Sequence, residues 1–469
     1  MYDFIIIGAG PCGIFAAYEA SVLKPGAKIA LLEKGLDIHK RRCPISEGYA
    51  KFCPNREADL PSGCLPACSI TCGFGGAGAF SDGKFNITSE FGGWLGEYIS
   101  NEKLLELINS VDKINLSHGA PDVVTDPSTP EAIRIERKAY AAGMKLLKAR
   151  VRHFGTEKNL SVLKSIFSKL KERIDMRFCA EVEDILIENE KAVGARLTNG
   201  EEIRGRAVLV APGRDGSGWL SKILKSRKVA MHYNQVDIGL RAEVSNVIMQ
   251  EINEALYEAK LIYASSCGIK VRTFCANPSG HVVVENHSGI MAANGHAFFD
   301  PDLGSENTNF ALLASHQFTR PFNKPNEYAR EICARANDLT NGGVMVQTFG
   351  DILRERRSNE KRIGEGFVRP TLKEAVPGDL GLCLPYNTMK SIIEMTRALD
   401  KVIPGFASDH TLFYGVEAKF YSAQPEVDAN MQTPIKNLYV GGDGAGFTRG
   451  LAQASAMGVL IARAIFGNS

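Results

Sequence analysis

The chain has 469 residues, with 55 Lys and Arg against 53 Asp and Glu, and 44% hydrophobic and 23% charged residues. The length implies two or three domains, or one with large insertions, and the composition excludes a disordered or fibrous chain. A net charge of +2 argues against generic affinity for nucleic acid or an anionic membrane, and no apolar run reaches the ~20 residues of a membrane-spanning helix.

In chain order, residues 2–7 (Tyr-Asp-Phe-Ile-Ile-Ile) read as a strand buried on both faces of a parallel sheet. Gly8-Ala-Gly-Pro-Cys-Gly13 follows, then helical spacing over 14–23 and a second buried strand over 28–32 that stops at Glu33. The stretch 43–72 carries Pro44, Pro54, Pro61 and Pro66, which predicts no regular structure, and 73–83 continues as a glycine loop. Helices are expected over 101–116, 131–150 and 160–170, the second opened by Ser128-Thr129-Pro130. Short alternating runs fill 177–210, with Asn199-Gly200 as a hairpin signal, and 207–211 is a buried strand ended by Pro212-Gly213. Residues 226–420 mix β-rich pieces (238–244, 270–275, 281–285) with helices near 326–337 and 388–401. A strand over 437–440, a glycine turn over 441–446 and a helix over 451–465 close the sequence, so both ends read strand, glycines, helix.

The first of these turns has a clear physical meaning. In Gly8-x-Gly10-x-x-Gly13, with Pro11 and Cys12 inside it, Gly8 permits the tight turn and Gly10 lets backbone approach a pyrophosphate. Gly13 lets helix and strand pack closely, and the helix N-terminus offers free N–H groups to the diphosphate. Glu33, with Lys34 beside it, can accept both ribose hydroxyls of an adenosine and repels a 2′-phosphate. Strand, helix, second strand and acid together indicate a bound dinucleotide.

The remote pieces specify it. The strand ending in Pro212-Gly213, the block Gly441-Gly-Asp-Gly-Ala-Gly446 and the small residues Ala452, Ala454, Ser455 and Ala456 resemble the glutathione-reductase-type FAD fold. In that fold the distal strand, acid and helix bind the ribityl chain and pyrophosphate. The resemblance implies roles for Pro212, Gly213, Gly442, Asp443, Gly450 and Leu451, with Asp443 accepting a ribityl hydroxyl; taken alone, Asp443 reads as an N-cap carboxylate. The run Cys72-Gly-Phe-Gly-Gly-Ala-Gly-Ala-Phe-Ser-Asp-Gly-Lys84, His153-Phe-Gly-Thr-Glu157 and Ala211-Pro-Gly-Arg214 are similar, essentially end to end, to FAD-dependent dehydrogenases of unassigned substrate. Many of those relatives carry Glu in place of Asp443 and Gly-Gly in place of Arg449-Gly450.

The resemblance implies that the glycine loop passes under the flavin ring, with Gly75, Gly76, Ala77, Gly78, Ser81, Asp82 and Gly83 in contact with the cofactor. Lys84 and Arg449 are then candidates to stabilise the anionic reduced flavin near N1. Arg449 lies before a helix N-terminus, where a cation is disfavoured. Glu417, in Phe413-Tyr-Gly-Val-Glu, is a candidate acid or base. The fold class expected is α/β. A Rossmann-type FAD domain with a parallel sheet, discontinuous over 1–92, 151–225 and 408–469, would be joined by a helical insertion at 93–150 and a mixed α/β substrate or cap domain at 226–407.

The implied activity is an FAD-dependent oxidoreductase passing hydride or electrons through flavin N5 to or from a small organic substrate. No independent βαβ for NAD(P)H is present, so a nicotinamide docks transiently or an electron-donor protein serves. A lipid, isoprenoid or RNA-linked substrate, or a redox sensor without turnover, are the alternatives. Five of the 11 cysteines, Cys43, Cys53, Cys64, Cys68 and Cys72, fall in one stretch. Their spacing fits no standard zinc or iron–sulfur site, so packing or redox duty is favoured over a metal, while ligation of zinc or a cluster and a disulfide stay open as alternatives. The first apolar run begins at Tyr2, from which no export leader is expected, and the odd cysteine total fits the reducing cytoplasm.

Overall fold

The computed structural model describes residues 1–43, 67–81, 83–256, 259–287, 289–297, 301–319, 321–322 and 324–467. The chain divides into two units, Met1–Val124 with Ala149–Tyr233 and Ser422–Ser469, and Thr125–Lys148 with Asn234–Tyr421.

The first unit is built on a five-stranded sheet. Strand β1 (Phe4–Ile7) is apolar and buried at every residue, the pattern of a strand covered on both faces. It is flanked by β2 (Ile29–Leu32) and β4 (Val208–Val210), with β3 (Asp175–Arg177) and β5 (Leu438–Val440) outside them. The order β5-β4-β1-β2-β3 is parallel throughout. Register aligns Ile7 with Leu32 and with Val210, and Val210 with Val440. The turns after β1, β4 and β5 therefore leave the sheet side by side. Helices α1 (Pro11–Leu23) and α3 (Leu451–Phe466) pack on each other at small residues: a Cβ on Gly458 would fall 2.1 Å from Cys12 O. Helix α2 (Asn101–Ser117), capped by Ser100, buries Leu104, Leu107, Ile108 and Val111 in this same core.

The second unit centres on an eight-stranded sheet. Its strand Val236–Ser245 lies antiparallel between Asn307–His316 and Leu412–Lys419. Alternation sorts that strand by face. Ile238, Leu240, Ala242 and Val244 join an apolar core with Met395, Leu399 and Phe413. Asp237, Arg241 and Glu243, at the intervening positions, are fully buried as well. A smaller core holds Leu412 and Tyr414 with Val282, Ala293 and Val346.

Three expectations are corrected. The helix expected over 131–150 ends at Ala141; Gly143 (φ +76°) turns the chain, and Met144–Leu147 becomes a strand paired with Lys260–Ala264. The segment 93–150 is therefore not one insertion, since α2 belongs to the first core and 125–148 to the second unit. The boundary near 408 moves to 422, because Leu412–Lys419 pairs inside the second sheet.

Candidate functional site

The β1 turn separates glycines that packing demands from one that it does not. Gly8 has φ +99°, and a Cβ there would lie 2.2 Å from Ala211 O; on Gly13 it would lie 1.9 Å from Gly8 O. Around Gly10 no described atom comes within 4 Å of the Cβ position. Gly10 caps α1 in extended conformation with no side-chain cap, and Pro11 fills the first helical position. The β5 turn repeats the division. Gly444 closes on Gly213 O at 2.1 Å and Gly441 on Cys12 Sγ at 2.7 Å, whereas Gly450 caps α3 without a side-chain bond and faces no described atom within 4 Å. Gly213 is open in the same sense. Gly450 ends the connection from β5 to α3, and Gly10 and Gly213 follow the carboxyl ends of β1 and β4, between which the strand order reverses. That is where parallel α/β sheets bind ligands, and both helix starts present uncapped N–H groups to an anion.

Glu33 ends β2 and is buried. Its Oε2 accepts the Ala9 N–H at 2.8 Å, and its Oε1 accepts Gly35 N–H at 2.8 Å and Gly73 N–H at 2.9 Å. A carboxylate has about four acceptor positions, so three are taken by backbone. The expectation of two ribose hydroxyls on Glu33 is reduced to one. Lys34 beside it is half-buried.

The glycine loop lies on the two helix starts. Gly75 N–H donates to Ala9 O at 2.8 Å. A Cβ on Gly76 would sit 3.1 Å from Gly10 Cα, and one on Gly78 would sit 2.6 Å from Leu451 Cδ2. The missing side chains of Gly75, Gly76 and Gly78 thus serve protein packing, while Ala77 is exposed. Arg41, which the sequence did not single out, organises the approach. It is buried and donates to Ser69 O, Phe74 O and Ile70 O at 2.9, 2.7 and 2.9 Å. Ser81 donates to Gly78 O at 2.8 Å, and Gly83 (φ +66°) packs against Phe154. Lys84 begins the strand Lys84–Ile87 opposite His153. Asp82 lies outside the described residues.

Asp443 opens the β5 turn. Its Oδ1 accepts the Thr448 hydroxyl at 2.7 Å, and its Oδ2 accepts Arg214 Nη2 at 3.1 Å and Nε at 3.2 Å. The carboxylate therefore links β4's turn to the start of α3, with 22% of the side chain still exposed. Asp215, the neighbour of Arg214, accepts from Cys72 Sγ at 3.4 Å and Thr71 Oγ1 at 3.2 Å. Burial pushes the Cys72 thiol up to about 11, against the opposing effects of Thr71 and Lys34. Cys12 is pushed up to about 12 by burial, then by Asp443, and packs behind the turns against Gly441 and Gly458. Cys43, Cys68 and Cys72 are free thiols, and among the described residues no group of three His, Cys, Asp or Glu side chains is placed to hold a metal. Cys53 and Cys64 lie outside the described residues.

Glu417 occupies the second unit, in a buried ion pair. Arg241 Nε and Nη2 reach its two oxygens at 2.7 and 2.9 Å, and Lys419 Nζ lies 3.0 Å away. Burial alone raises its pKa, but Arg241 and Lys419 outweigh that and hold the carboxyl below the ordinary glutamate value. This corrects the expected acid or base: the group is ionised, enclosed and fully engaged. Arg241 was missed, although Asp237, Arg241 and Glu243 at odd positions of an apolar strand carried a period-two signal.

With this geometry in view, comparison with known proteins is informative for the second unit. Residues 238–420, which span its central sheet, match the family model for FAD-dependent protein, C-terminal domain-like. Among curated protein sequences none is similar to this chain. Similar solved structures include pyridoxine 4-oxidase from Mesorbium loti, with 12% identity, a TM-score of 0.44 and 99% of each chain covered. E. coli quinol fumarate reductase FrdA has 14% identity, a TM-score of 0.42, and 99% of this chain and 70% of that one covered. L-proline dehydrogenase from P. horikoshii has 11% identity, a TM-score of 0.39, and 100% and 94% covered. The family match and the glycine turns of the first unit agree on one cofactor, FAD.

Proposed function

We propose that the chain is an FAD-dependent oxidoreductase acting on a small organic substrate. One observation carries this reading. Gly10 and Gly450 cap the helices that follow β1 and β5, the two strands flanking β4, and leave open space where side chains would stand, a cradle that suits the pyrophosphate and ribityl parts of a single long cofactor. Bound FAD supplies a flavin that takes up or gives back two electrons at N5.

The chain's own residues then divide the work. The start of α1 and Gly10 receive the pyrophosphate, and the remaining acceptor of Glu33 receives an unphosphorylated ribose. Asp443 holds the ribityl chain at its exposed edge, while Lys84 and Arg449 supply positive charge to the isoalloxazine end. A transiently docked nicotinamide or an electron-donor protein completes the redox cycle. No helix among the described residues is long and apolar enough to cross a membrane, and the cytoplasm is the proposed location.

Purified protein should be yellow and release FAD, one per chain, on denaturation. FMN, or protein that neither carries nor takes up flavin, would overturn this reading. Screening candidate substrates for bleaching near 450 nm then identifies the substrate class.

A further inference from the structure

Residues 91–94 form a strap on the segment that leads into α3. Trp94 N–H donates to Phe447 O at 2.8 Å and Arg449 N–H donates to Gly92 O at 2.9 Å, an antiparallel bridge centred on Gly93 and Thr448. The strap's position is fixed. At Gly93 (φ +145°) a Cβ would lie 2.5 Å from Phe447 O and 2.7 Å from Thr448 Cα, so no bulkier residue fits. Gln453, buried in the first turn of α3, donates to Phe91 O at 3.1 Å and ties the strap to the helix.

The consequence is a stacked pair: the Arg449 guanidinium carbon lies 3.6 Å from the centroid of the Trp94 ring. A cation just before a helix N-terminus is opposed by the helix dipole. The indole face attracts it, and a planar guanidinium stacks where an ammonium does not. Arg449 is thereby kept beside Gly450, whose Cβ position meets no described atom. Arg449 thus immediately precedes the residue that caps α3 without a side-chain bond, and its guanidinium and the uncapped N–H groups both favour negative charge.

We propose that Trp94 is a positioning residue that holds Arg449 against the negative charge carried by the reduced isoalloxazine of bound FAD, a role that rests on the function proposed above. The prediction concerns the preference of the protein for reduced over oxidised cofactor, which a merely structural tryptophan does not set.

The test measures the midpoint potential of the bound flavin by dye equilibration, together with FAD affinity and thermal melting, in the FAD-loaded protein. Trp94→Leu should lower the affinity for reduced relative to oxidised FAD about tenfold, read as a potential about 30 mV more negative for a two-electron couple. Trp94→Phe, which keeps a ring face, should recover most of the shift, and Arg449→Lys should reproduce it. In an Arg449→Leu background, Trp94→Leu should add nothing. An unchanged potential in Trp94→Leu, or a shift that persists in the Arg449→Leu background, overturns the inference while the FAD reading stands. Wild-type protein that takes up no FAD overturns both. If Trp94→Leu fails to fold, Trp94→Met, which also lacks a ring face, takes its place with the same expected and overturning results, and an Arg449→Lys potential unchanged from wild type sinks the proposal.

Discussion

The Arg214 guanidinium rests on the Asp443 carboxylate, bridging the turn after β4 to the turn after β5 across 229 residues of sequence. The pair is half-exposed on the arginine side, so it adds about 0–1 kcal/mol to stability. Its importance lies in presentation: Arg214 and Thr448 fix the direction in which the remaining face of Asp443 looks.

Asp443→Ala should weaken FAD binding by about 1.5–3 kcal/mol, the worth of a charge-assisted hydrogen bond, which is roughly ten- to hundredfold in Kd. Arg214→Ala should leave the melting temperature almost unchanged. Fluorescence titration of apoprotein with FAD measures the first and a thermal melt the second. Unaltered flavin affinity in Asp443→Ala would reduce Asp443 to a bridge between Arg214 and Thr448.

Gly8 and Gly10 should behave oppositely. Gly8→Ala forces a side chain into the left-handed region and onto Ala211 O, so the protein should lose its fold or most of its stability. Gly10→Ala meets no described atom and costs the fold about 1 kcal/mol or less. Yet it should abolish tight FAD binding by filling the cradle. Circular dichroism and flavin content of the two variants separate these outcomes; normal flavin content in Gly10→Ala would show that the cradle is elsewhere.

Glu417→Gln leaves Arg241 as an uncompensated buried charge and should cost about 3–5 kcal/mol in denaturant unfolding. Because the Glu417 carboxyl is held below its ordinary value, its contribution is present above the usual glutamate range and is lost as pH falls through the lower folded value. A variant that loses turnover but unfolds at the wild-type denaturant concentration would instead restore Glu417 as a proton-transfer group.

Glu243 should show the reverse slope. Its carboxylate accepts Thr371 Oγ1 and Tyr414 Oη, both at 2.5 Å. Burial raises its pKa from 4.5, more than the hydrogen bonds from Thr371, Tyr414 and Asn307 lower it. The stability it supplies is complete below 4.5 and is lost as pH rises through the raised folded value. Glu243→Gln should therefore gain relative stability on going from pH 5 to pH 8, measured by melts across that range. A parallel pH profile for mutant and wild type would show that Glu243 is ionised throughout.

The first unit was legible because its determinants are local. Phe4 to Ile7 as an apolar run, glycines at 8, 10 and 13 and an acid at 33 lie within one βαβ, and the distal copy at 438–466 repeats the pattern. What was illegible depends on partners distant in sequence. Nothing near Glu417 announces Arg241, which reaches it from another strand of the same sheet, and nothing near Arg449 announces Trp94. Met144–Leu147 reads as helix continuation until Lys260–Ala264 offers it an edge. The glycine loop was recognised by composition, but whether its glycines serve a ligand or their neighbours is settled by distances to Leu451 and Gly10.

The close crossing of Gly458 on Cys12 has a consequence for synthesis. The sheet that begins with β1 is completed only when β5 and α3 have been made, after the whole of the second unit. During synthesis β4 therefore lacks β5, and α1 lacks α3, until the whole second unit has been made, while the later-encoded sheet of Val236–Ser245 already has all its partners. Of the two units, the one begun earlier is the one finished later.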